Sequence, residues 1–175
     1  MMPSRTIRNT LAVTMLLVLA WAAVSMAAGI QLPKGSKAKV QFDPNSTVSS
    51  AKFEVGDKVP VYLVDPIVMG GVTLVEAGAM GTAVVTVGKR AGKGGKPGAL
   101  KLSFESINPR GPFVPQELNT IPVAGDTPEY RGKGKKLVSY LFIFGLFIKG
   151  SQAEVPAEAT FEVTVAENVR FIKKE

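Results

Sequence analysis

The sequence predicts an all-β protein, an antiparallel sandwich or small barrel placed after an N-terminal signal or anchor helix. Three observations carry that prediction. Short apolar runs alternate with polar residues at period two and are rich in valine and threonine, the pattern of half-buried strands. Turn-forming residues punctuate the runs at short intervals, with 18 glycines and 12 prolines in the chain. Past residue 30 no segment shows an apolar stripe at helical spacing, so no amphipathic helix is expected.

Residues 1–27 read as an export signal. Arg5 and Arg8 precede an uncharged run from Leu11, and Ser25-Met26-Ala27 offers small residues at a cleavage site. The alternative is an uncleaved anchor, because apolar character continues to Ile30 and 20 residues just span a bilayer. Either way the expected location is periplasmic or exported, with residues 11–30 holding the chain at the inner membrane in the second case. Residues 28–50 form a polar, lysine-bearing entry segment with one short strand, Lys39–Phe42.

Residues 51–175 then form a single β domain. Lys58–Asp65 (KVPVYLVD) sets Val59, Val61 and Leu63 on one face. Val72–Glu76 follows the Gly70-Gly71 turn. Gly81–Gly88 (GTAVVTVG) puts Ala83, Val85 and Val87 on one side, and Ala99–Ile107 (ALKLSFESI) sets Leu100, Leu102 and Phe104 opposite Lys101, Ser103 and Glu105. Thr160–Ala166 repeats the pattern with Phe161, Val163 and Val165. A loose echo between residues 75–85 and 155–165, each a small-residue turn entering an alternating strand, fits a body built of hairpins.

Composition excludes much chemistry. The chain has neither cysteine nor histidine, so disulfides, thiolate nucleophiles, Ser–His–Asp triads and the usual zinc ligand sets are out of reach. No cofactor or metal is expected. Without Arg5 and Arg8 the remainder keeps 19 basic against 14 acidic side chains, an excess that favours anionic surfaces and names none. For an exported bacterial chain these are lipid head groups and wall polymers, and no nucleic-acid partner is expected.

Two basic stretches stand out. Gly88–Gly98 (GKRAGKGGKPG) carries Lys89, Arg90, Lys93 and Lys96. Its spacing fits neither the phosphate-binding loop, which needs Gly-Lys followed by Ser or Thr, nor the dinucleotide pattern, where Pro97 displaces a glycine. Both motifs also need a following helix, whereas a strand follows here. The stretch is expected to be a long, solvated hairpin connection. The second stretch carries Arg131, Lys133, Lys135 and Lys136. On one rim the two stretches would make a single basic surface for an anionic partner; at opposite ends each would merely be solvated.

The second stretch leads into Leu137–Ile148 (LVSYLFIFGLFI), the most apolar segment after the signal. Twelve residues are too few to cross a bilayer as a helix. Basic residues on both flanks make it either a core element with solvated ends or an interfacial membrane contact through Tyr140, Phe142, Phe144 and Phe147. Other motifs are weaker. Ser49-Ser50-Ala51-Lys52 matches the Ser-x-x-Lys of penicillin-recognising enzymes but lacks their companion elements. The carboxylates are scattered singly, and Asp43-Pro44-Asn45 has no third calcium ligand.

Two resemblances follow from quoted stretches. FIKGSQAEVPAEATF (147–161) resembles the tail of exported bacterial β-rich proteins of unknown function, which carry Lys-Gly and then Ile-Pro-Ala-Gly-Thr before a last strand; Glu158-Ala159 stand here where that family has glycine. VTLVEAGAMGTAVVTVGK, a basic loop and LKLSFESINPRGPFVP (72–115) resemble the layout of the C-terminal β-barrel domain of type IV secretion channel subunits. The first resemblance implies no activity, and the second implies a structural role in the envelope. The expected function is a non-enzymatic envelope protein that binds or scaffolds, its partner an envelope protein or an anionic lipid surface. The alternative is a membrane-peripheral protein docking through 137–148 and its basic flanks. A further alternative is a cell-wall-active enzyme using carboxylates or a Ser49–Lys52 pair.

Overall fold

The computed structural model describes residues 29–133 and 149–174. The chain divides into two compact units, Met1–Ile30 and Gln31–Glu175, and the second carries a closed antiparallel barrel. Its six staves are β2 (Lys37–Phe42), β3 (Lys58–Leu63), β6 (Met80–Lys89), β7 (Ala99–Ile107), β9 (Ile121–Ala124) and β11 (Thr160–Val165). They pair in the order β7-β6-β3-β2-β11-β9, and β9 returns to β7 through Ser106↔Pro122 and Ile107↔Ile121. Closure leaves no stave with an unpaired edge along its whole length, which removes the template for edge-to-edge aggregation.

Alternation explains why these residues close. Ala38, Val40 and Phe42, Val59, Val61 and Leu63, Leu100, Leu102 and Phe104, and Phe161, Val163 and Val165 are all buried. Between them Lys37, Lys39, Lys58 and Glu162 stay exposed. Barrels of this size are filled by their own side chains. Phe42, Phe104 and Phe161 meet with ring centroids 5.6–6.1 Å apart and form the centre of that filling. Gly81 lines the interior because a Cβ there would sit 2.5 Å from the Ser106 carbonyl and 3.0 Å from Val61.

Two expectations change in detail. The barrel begins at Lys37 rather than at residue 51, because the lysine-bearing stretch 37–42 has an inward apolar face and pairs with both β3 and β11. Val87 is only half-buried, because a register shift between Val85 and Val87 breaks the alternation of β6. The shift leaves Thr86 exposed, and its hydroxyl donates to the Lys101 carbonyl at 3.3 Å.

The remaining strands are short. β4 (Ile67–Met69) and β5 (Val72–Val75) form a hairpin on Gly70-Gly71, both at positive φ. β1 (Ile30–Leu32), β12 (Val169–Lys173) and β8 (Phe113–Pro115) make a three-stranded sheet. β10 (Tyr130–Arg131) pairs with the first residues of β7, so β9, the Ser103↔Asp126 bridge and β10 succeed one another along one edge of β7. Glu158-Ala159 complete a turn without glycine, the Ala159 N–H donating to the Pro156 carbonyl at 3.1 Å.

Strand direction sorts the loops. β2, β6 and β9 end at one rim, where β3, β7 and β11 begin. The loops 43–57 and 90–98 and the stretches 130–133 and 149–159 therefore gather there, and Pro33–Ser36, 64–79 and 108–120 gather at the other.

Candidate functional site: a glycine-laced basic rim

The two basic stretches lie on the same rim and touch. Lys89 closes the β6–β7 ladder opposite Ala99, and Ala99 also faces Arg131 of β10. From there three backbone segments are stitched together. The Gly132 N–H donates to the Gly98 carbonyl at 2.9 Å, the Gly98 N–H to Ser151 at 3.0 Å, and the Ser151 N–H to Lys133 at 3.1 Å. The Gly92 N–H donates to Lys96 at 3.0 Å, and the Gly150 N–H to Gly92 at 3.2 Å. The expectation of a solvated hairpin connection is therefore half of the picture. Residues 88–98 do connect β6 to β7, but the loop is bound to two other segments by its own backbone.

Glycine is needed here for close approach rather than for an unusual φ. A Cβ on Gly132 would collide with the Ser151 carbonyl, one on Gly150 with the Lys96 carbonyl, and one on Gly98 with the Ser50 hydroxyl. Beneath the crossing lies a small polar lock. The Ser50 hydroxyl donates to Gln152 Oε1 at 2.9 Å and accepts the Ala153 N–H at 2.9 Å, and the same Gln152 oxygen accepts the Ala91 N–H at 3.0 Å. Ser50 is fully buried, so these bonds meet groups that would otherwise lose water uncompensated.

On this frame residues 88–98, 130–133 and 149–152 carry seven basic side chains and no acidic one. Arg90 pairs with Glu54 at 2.9 Å, and Arg131 with Glu129 at 2.9 Å. Lys89, Lys93, Lys96, Lys133 and Lys149 are exposed and make no ion pair among the described residues. Five like charges on one stitched surface repel one another, and an anionic partner relieves that repulsion. Tyr130, half-buried beneath, has its phenol pushed above the ordinary value by burial, and so stays neutral.

Of the predicted residues, Lys89, Arg90, Lys93, Lys96, Arg131 and Lys133 are brought together. Lys135, Lys136, Tyr140, Phe142, Phe144 and Phe147 lie outside the described residues. The ends of that stretch are nonetheless placed, because Lys133 is bonded to Ser151, two residues past Lys149. Lys133 and Lys149, the described residues on either side of 134–148, thus lie together on the basic rim. Sequence reasoning passed over Lys149 as a site residue, and over Ser50 and Gln152, which carry no charge or motif to mark them.

The other motifs find ordinary partners. Ser49 Oγ accepts the Ala51 N–H at 3.3 Å, while Lys52 Nζ sits 5.3 Å from the Phe53 ring centroid. Asp43 caps its own turn by accepting the Asn45 N–H at 2.9 Å. No three acidic residues converge as a metal site among the described residues. On the outer wall a cleft of about 150 Å³ is bordered by Lys37–Glu162 at 2.8 Å and Lys39–Asp65 at 4.0 Å, cross-wall pairs open to solvent. Comparison with family models, with curated proteins and with solved structures finds no match to this chain.

Proposed function

We propose that this is an exported, non-enzymatic envelope protein that docks its basic rim on the anionic face of a membrane. The observation that carries the proposal is the position of Lys133 and Lys149. Lys133 and Lys149, which bracket the apolar stretch in sequence, stand on the surface that carries the five lysines without an ion pair among the described residues. An interfacial contact needs that combination, apolar side chains to enter the acyl boundary and cations to meet phosphate around them. Scaffolding of an envelope protein partner would use the same surface but would not need so apolar a segment between Lys133 and Lys149 in the sequence.

Flotation of the full chain with vesicles tests it. Association is expected with phosphatidylglycerol-rich vesicles and to fall in high salt, which screens exposed charges. Lys93→Glu, Lys96→Glu and Lys133→Glu together should abolish the preference for anionic over zwitterionic vesicles. Equal binding to both lipids by the unaltered chain would leave the rim without a role.

A further inference from the structure

Among the described residues, the basic rim also carries an exposed apolar side chain. Val55 is 64% exposed, the most exposed large hydrophobic side chain among the described residues. It sits at the end of the 43–57 loop, against the last turn of β6, where a Cβ on Gly88 would come within 3.0 Å of its backbone nitrogen. The loop is fixed there. The Gly56 N–H donates to Val85 at 2.9 Å, the Val85 N–H to Asp57 at 3.0 Å, and the Glu54 N–H to Asp57 Oδ2 at 2.7 Å. Two residues before Val55, Phe53 is half-exposed beneath the Lys52 ammonium. Glu54 is held by Arg90, and the Asp57 carboxylate is turned back onto the Glu54 N–H, which leaves Asp57 as the one acidic side chain at the tip without an ion pair among the described residues.

Exposed aliphatic residues are common singly and need no explanation. Here the surroundings select a partner. Leu118, exposed at the far end, stands beside Glu117, which an anionic surface repels, and Val68 lies at the same end near the Lys39-paired Asp65. Val55 follows Glu54, the partner of Arg90, lies against Gly88 next to Lys89, and is three residues from Lys52.

We infer that the tip Lys52–Val55 is a preformed insertion point, with Val55 and Phe53 entering the acyl boundary of an anionic bilayer while Lys52, Lys89 and Arg90 remain at the phosphates. The inference rests on the docking proposal above and deepens it. A fixed tip loses little conformational freedom on binding, so its apolar area converts to affinity with little loss.

Trp21 is the only tryptophan, which makes a position-specific test direct. In the full chain with Trp21→Phe, Val55→Trp and Val68→Trp are compared on phosphatidylglycerol vesicles with and without brominated acyl chains. Trp at 55 should blue-shift and be quenched by bromine, and Trp at 68 should do neither. Val55→Asp should weaken vesicle binding about tenfold, the scale of losing one buried aliphatic side chain. Flotation with an unshifted, unquenched Trp at 55 would overturn the insertion and leave rim docking intact. Absence of flotation, or binding to soluble polyphosphate but not to vesicles, would overturn both.

Discussion

Inside the barrel, Phe42, Phe104 and Phe161 meet ring to ring; on the basic rim, residues 92–98, 132–133 and 150–151 meet backbone to backbone. The interior is held by area removed from water, spread over many side chains, so any one loss is shared. The crossing on the rim is held instead by directed hydrogen bonds at positions where no side chain fits, and it carries five lysines that have no ion pair among the described residues. The contrast suits the proposed role, since charges on a fixed frame are presented to a flat surface without being ordered first. It also predicts that the two regions fail differently.

The largest effect belongs to the interior. Phe104→Ala should cost about 3–5 kcal/mol, because the other two rings cannot close the space it leaves. Chemical denaturation should show a lower midpoint for the whole barrel. Next comes the crossing. Gly132→Ala or Gly150→Ala drives a methyl into a carbonyl, and displacement of backbone should cost about 1–3 kcal/mol. The signature separating it from Phe104→Ala is local: exchange at the Gly98 and Ser151 amides should quicken more than exchange in β3 or β11. Uniform acceleration throughout would mean that rim and interior are one cooperative unit. Gln152→Ala should follow at about 1–3 kcal/mol, as it strands the buried Ser50 hydroxyl and the Ala91 N–H.

The interior was legible because side-chain burial writes period two into the sequence. Ala99–Ile107 has the predicted bounds, and β3, β5, β6 and β11 each match to within two residues. β2 was truncated because Lys37 and Lys39 read as entry-segment polarity until Ala38, between them, is seen to face inward. β4, β8, β9 and β10 are two to four residues long, too short for alternation to register, and Pro122 inside β9 argues against a strand. The rim was legible in charge and illegible in structure. Gly132 and Gly150 sit beside lysines, Gly98 two residues after one, and all three read as flexible linkers, since close approach across 34 or 53 residues leaves no local pattern. The seam between the stretches needed the fold.

Smaller still in stability, though not in function, is reversal of the rim charges. Lys93→Glu, Lys96→Glu and Lys133→Glu remove no ion pair and no side-chain hydrogen bond among the described residues, so each should change unfolding free energy by less than about 0.5 kcal/mol. Together they should nevertheless abolish the preference for anionic over zwitterionic vesicles. A variant that lost both together would blur the division between a rim built for charge and an interior built for stability.

The smallest effect lies where wall and rim join. Asp126 bridges to Ser103 of β7 between β9 and β10, and accepts from Lys101 Nζ at 2.9 Å. That hydrogen bond, joined by one from Ser103, holds its carboxyl below the ordinary value of 3.8. A lowered folded-state value means the carboxylate form stabilises the fold above pH 3.8, and the contribution disappears as pH falls through the lowered value. Its side chain is 51% exposed, so solvent screening limits the contribution to a few tenths of a kcal/mol. Asp126→Asn should flatten that part of the acid limb of the stability curve without changing denaturation at neutral pH by more than that amount. Protection of the Leu102 and Thr127 amides, bonded across the junction at 2.9 Å in both directions and corrected for the intrinsic pH dependence of exchange, should fall with acid in the unaltered chain and stay level in the variant. If the two chains respond alike, the junction is held by Thr127 and backbone alone, and the rim is tied to the wall without help from charge.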